Sequence, residues 1–88
     1  MPTALDRRID QRSPCADPVE MFFSNPSPIA VSGTLVDQSP SGFRVKHECP
    51  TLDPGLEISY CRDGEMGHAR VVWTMVAGSH RMSGMVVL

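Results

Sequence analysis

The chain is most easily placed by what it does not contain. No apolar run in its 88 residues approaches the roughly 20 that a membrane-crossing helix needs, so no membrane insertion is expected. The three cysteines, Cys15, Cys49 and Cys61, are odd in number and lack paired spacing, which argues against a disulfide framework and suits reduced thiols. Eight basic residues against 10 acidic ones give a net charge of −2. A binder of nucleic-acid polymers is usually basic, so any anion site must come from a local cluster of positive charge. The segment from Met1 to Arg8 lacks the apolar centre of a signal peptide, and a cytoplasmic protein is expected.

Chemistry-bearing spacings are equally sparse. Cys49, Cys61, His68 and His80 match no C-x-x-C or H-x-x-x-H pattern, so no metal is expected. Ser39 lacks the G-x-S-x-G elbow, and no Ser-His-Asp or Cys-His arrangement stands out, so neither enzyme activity nor a cofactor is expected. His47 and His80 are expected at the surface of strands or loops.

What the chain does contain is strand pattern. Hydrophobic residues make up 41% and charged residues 20%, an ordinary balance for a single small folded domain that buries roughly 60 to 65 per cent of its unfolded surface. Strands are expected at Val19 to Phe23, Ile29 to Val36, Phe43 to His47, Leu56 to Cys61, His68 to Val76 and Arg81 to Leu88, where apolar residues alternate or β-branched ones accumulate. Turn chemistry separates them: Asn25-Pro26-Ser27-Pro28, Asp37 to Gly42, Pro54-Gly55, Asp63-Gly64 and Ala77-Gly78-Ser79. Six short strands without an amphipathic helix predict an all-β fold, a small six-stranded antiparallel barrel of the split-barrel type, because closure removes exposed edges. Its core is expected from Val19, Phe22, Val31, Leu35, Phe43, Val45, Leu52, Leu56, Ile58, Val71, Trp73, Val86 and Leu88. Residues 1–17, polar and charged, are expected to form a flexible N-terminal arm ahead of a domain at 18–88.

Two features are candidates for a site. Arg7, Arg8 and Arg12 cluster in the arm, and guanidinium groups pair bidentately with phosphate oxygens and lie flat on purines. Asp37, Ser39 and Gly42 occupy the expected turn between the second and third strands. The Asp and Ser side chains there can bond to nearby backbone, Pro40 fixes φ, and Gly42 accepts positive φ or close approach by another group.

Together, R-x-x-x-R at Arg8 and Arg12 and D-x-S-x-x-G at Asp37, Ser39 and Gly42, one strand apart in an all-β chain, resemble the PilZ domain family. Thr34-Leu35-Val36-Asp37, Leu52-Asp53-Pro54-Gly55 and Ala69-Arg70-Val71-Val72-Trp73 follow in PilZ-like order. The resemblance implies a receptor for the bacterial second messenger cyclic di-GMP. Arg8 and Arg12, joined by Arg7, hold its phosphates and guanines, while Asp37, Ser39 and Gly42 contact it from the barrel. Binding is then expected to order the arm over the barrel, and with no output domain after Leu88 the signal is expected to pass to an unidentified downstream protein. The family also includes interaction modules of pilus and motility assemblies that bind no nucleotide, which is the alternative. Gln38, Asp10 and Pro40 depart from the usual pattern around the motif. Trp73 is expected in the core or beside the ligand as a stacking surface.

Overall fold

The computed structural model describes residues 13–88. Seven strands follow in order: β1 (Ser13–Pro14), β2 (Pro18–Ser24), β3 (Pro28–Ser39), β4 (Gly42–His47), β5 (Glu57–Arg62), β6 (Glu65–Ala77) and β7 (His80–Val87). All pairings are antiparallel, in the order β1-β3-β2-β5-β6-β7-β4, and β4 also pairs with β3. That last pairing closes β2 to β7 into a six-stranded barrel, which is the expected architecture. The two-residue β1 is an addition to it. It lies against β3, with Ser13 opposite Gln38 and Pro14 opposite Asp37. Cys15 N–H donates to the Val36 carbonyl at 3.0 Å and Leu35 N–H to the Asp17 carbonyl at 2.8 Å, so residues 13–17 run alongside the barrel wall.

Alternation builds the interior. Val19, Met21 and Phe23 of β2 face inward together with Leu35, Phe43, Val45, Ile58, Ala69, Val71 and Met85, and Leu52 and Cys49 plug one end from the loop after β4. Seven of the expected core residues are buried, and Val31 and Leu56 pack partly against them. Phe22 is the clearest correction. In a strand, Val19 and Phe22 point to opposite faces, and with Val19 inside, Phe22 lies 40% exposed while Met21 and Phe23 take the interior. Leu88 is also exposed, and Val86 and Trp73 are only partly buried.

The turns follow their sequences. Asp63 and Gly64 both have positive φ, 54° and 79°, as a two-residue hairpin twisted with the strands requires. The stretch expected as a turn from Asp37 to Gly42 is tighter than its composition suggests. Asp37, Gln38 and Ser39 belong to β3 and only Pro40 and Ser41 form the loop, because Ser39 already pairs with Gly42.

Two β-bulges set what faces what. In the β3–β4 ladder, Leu35 pairs with Val45, and the register then slips so that Asp37 pairs with Arg44. Were Val36 paired with Arg44 in a regular ladder, Asp37 would sit opposite Phe43 and put a carboxylate against a buried ring. In the β6–β7 ladder, Val71 pairs with Met85 and the register slips at Val72, so Trp73 pairs with Gly84 and Thr74 with Ser83. The second bulge also takes Trp73 and Met75 off the inner face that Ala69 and Val71 share. Alternation therefore does not run unbroken through β6, and Trp73 is only partly buried for this reason.

Candidate functional site

The β3–β4 hairpin carries the three described residues of the expected motif. Arg7, Arg8 and Arg12 lie outside the described residues. Asp37 is 6% exposed and is held by Arg44 across the ladder: the Arg44 Nε–H donates to Oδ1 at 3.0 Å and to Oδ2 at 2.9 Å, and a terminal guanidinium nitrogen also donates to Oδ2. The hydrogen bond from Arg44 to this carboxylate raises the arginine's already high pKa, against a smaller effect of burial. Bidentate pairing of this kind fixes orientation as well as charge. Arg44 was not among the expected site residues, yet its position opposite Asp37 follows directly from the bulge.

Ser39 and Gly42 meet across the turn. The Ser39 hydroxyl donates to the Gly42 carbonyl at 3.3 Å. Gly42 is required by packing, since a Cβ at this position would stand 2.1 Å from the Met85 carbonyl oxygen of β7. The Val87 N–H donates to the Ser41 carbonyl at 2.8 Å, tying the hairpin tip to β7. Beside the tip, a shallow depression of about 200 Å³ is lined by Ser41, Gly42, Val72, Trp73, Gly84, Met85 and Val86. Its wall is the Trp73 indole, which lies over Gly84 so closely that a Cβ there would be 2.3 Å from Nε1.

A second polar cluster, at the other end of β4, was not anticipated. His47, expected at the surface, is 3% exposed. The Cys49 N–H donates to His47 Nδ1 at 3.0 Å, so that nitrogen is unprotonated and the ring proton resides on Nε2. Nε2 then donates to the Ser83 Oγ at 2.7 Å. The Thr74 hydroxyl donates to the Leu52 carbonyl at 2.9 Å, so its oxygen accepts from Ser83 at 2.7 Å. The four bonds form one directed chain from the Cys49 amide to the Leu52 carbonyl. Burial, and secondarily the charge of Arg81 opposite it, lowers the His47 pKa below the ordinary 6.5. No local signal marks this histidine, because its partner Ser83 is brought alongside only by the β4–β7 register.

Among the described residues no three His, Cys, Asp or Glu side chains converge as metal ligands, and no helix is long and apolar enough to cross a membrane. No protein-family model matches the chain, and a search of curated proteins finds no match.

Proposed function

We propose that this protein is a PilZ-like receptor that binds cyclic di-GMP at the tip of the β3–β4 hairpin and signals to a partner protein. One observation supports this reading above the others: β1 runs beside the motif, with Pro14 opposite Asp37 and Ser13 opposite Gln38. The described chain thus begins beside Asp37, and in this reading Arg12, Arg8 and Arg7, which lie outside the described residues, reach the nucleotide from that side. A ligand with two phosphates and two purine faces suits arginines plus one oriented acid. Arg44 aims the Asp37 carboxylate, and Trp73, in the depression beside Gly42, offers a flat surface to a guanine.

Calorimetric titration with cyclic di-GMP tests the proposal. Binding that weakens as salt rises is expected, with a loss of about 2 kcal/mol or more in Arg12→Ala if its charged hydrogen bonds are made. Absence of heat and of any melting shift at high micromolar nucleotide ends it.

A second reading, a nucleotide-independent interaction module, is favoured by Val72, Met75 and Val76, all exposed along β6. It predicts capture of the same partner with and without nucleotide, and loss of capture on Met75→Glu.

A further inference from the structure

We infer that the chain carries a peptide-docking groove distinct from the hairpin tip, where an extended segment of a partner protein adds a strand to the barrel between β3 and the end of β4. β3 pairs with β2 along its whole first half, from Ser24 opposite Pro28 to Pro18 opposite Thr34. On its other side, pairing with β4 begins only at Thr34, opposite Lys46. The barrel wall is therefore split alongside Pro28 to Ser32 and closes at Gly33, where an added Cβ would stand 2.8 Å from the Lys46 carbonyl oxygen.

The direction of the backbone groups follows from alternation. The Leu35 N–H donates toward β2, to the Asp17 carbonyl, so Gly33, Val31 and Ile29 also turn their amides toward β2. Ala30 and Ser32 turn theirs into the split. Among the described residues no backbone group bonds to them there. The Ser32 hydroxyl donates instead to Glu20 Oε2 at 2.6 Å, on the β2 side. What faces the split is thus a repeating pair of N–H donors and C=O acceptors, and its natural complement is another extended backbone.

The space matches that occupant. A groove of about 560 Å³ lies along the split, with Ser32 and Thr34 on one wall, Lys46 and Glu48 on the other, and His47 and Cys49 beneath. From strand rise, strand spacing and sheet thickness, one strand residue occupies roughly 160 Å³, so the groove holds about three to four residues of a single strand. It is bounded on both sides, which suits one inserted strand better than the edge of a second barrel. Because the floor consists of buried residues already packed, inward side chains of the peptide must be small. Of the two charges on the far wall, Lys46 attracts a carboxylate on the outward face and Glu48 repels one, so the carboxylate belongs at the Lys46 end.

Amide hydrogen exchange on the full chain, with and without a probe, tests this. The probe is a capped seven-residue peptide alternating alanine with threonine and carrying one central glutamate. In the free protein the amides of Ala30 and Ser32 exchange fast while Val31 and Gly33 are protected. At saturating peptide, Ala30 and Ser32 slow at least tenfold. A peptide N-methylated on its β3-facing amides produces no protection, and Ser32→Pro folds, since its N–H carries no ladder bond, but does not bind. The inference is overturned by protection of Ala30 and Ser32 in the free chain, by protection that grows with protein concentration, which marks a second copy, or by equal binding of the N-methylated peptide or of Ser32→Pro. No protection at millimolar peptide overturns it as well. Should Ser32→Pro not fold, the N-methylated peptide decides alone. None of these outcomes depends on cyclic di-GMP.

Discussion

Asp37 and Arg44 stand directly opposite one another on β3 and β4 only because Val36 is bulged out of the ladder between them. The residue that resembles a ligand contact is thus also half of an intramolecular ion pair, buried on the acid side and 40% exposed on the arginine side.

The pair is expected to stabilise the hairpin modestly. A charged hydrogen bond with one half-exposed partner is discounted by solvent, so Arg44→Met and Asp37→Asn should each cost about 1–2 kcal/mol in urea unfolding. The double variant should cost clearly less than the sum, because each single change removes the same interaction. Additive costs would show that the two side chains are not energetically coupled.

His47 gives the fold an acid-sensitive point. Its folded pKa lies below the unfolded value of 6.5. Above pH 6.5 both states hold the ring neutral and its full contribution is present. As pH falls from 6.5 toward the folded pKa, the unfolded chain takes up a proton that the folded chain resists, and stability declines by at most about 1.4 kcal/mol per pH unit. The urea midpoint should therefore drop between pH 7 and pH 5, and the difference between wild type and His47→Gln should shrink over the same window. A difference that stays constant with pH would exclude His47 as the cause. Ser83→Ala, which deletes the central hydroxyl of the chain, should cost about 1–3 kcal/mol at pH 7.5, where the titration plays no part.

How much of this was readable in advance depends on whether the information is local. Each barrel strand lies within a few residues of its expected place, because alternation and turn residues are properties of one segment. Phe22 was misassigned although the parity of Val19, Met21 and Phe23 contained the answer. The bulges at Val36 and Val72 are different. They are set by which partner residues a strand must match, Val45 then Arg44, and Met85 then Gly84, so no single segment encodes them. Everything that depends on them was hidden for that reason: Arg44 against Asp37, Trp73 over Gly84, and Thr74 opposite Ser83. The motif residues could be named from sequence, but their surroundings could not.

Two glycines on facing strands provide the last test, because they resist a methyl group for different reasons. At Gly84 the added Cβ meets Trp73 Nε1 at 2.3 Å and Cε2 at 2.4 Å, which are side-chain atoms able to swing away. At Gly42 it meets the Met85 carbonyl oxygen at 2.1 Å, which is backbone within the β4–β7 ladder. Gly84→Ala should thus cost about 1–3 kcal/mol, the usual range for overpacking, and shift the emission of the only tryptophan as the indole leaves its seat. Gly42→Ala should cost more, since strand pairing itself must open, and should raise amide exchange at Val87, whose N–H bonds to Ser41 at the hairpin tip. Equal costs with unchanged tryptophan emission would mean that neither close approach constrains the barrel. The predicted order, with each signature confined to its own variant, would instead identify Gly42 as a residue the fold requires whether or not a nucleotide ever touches it.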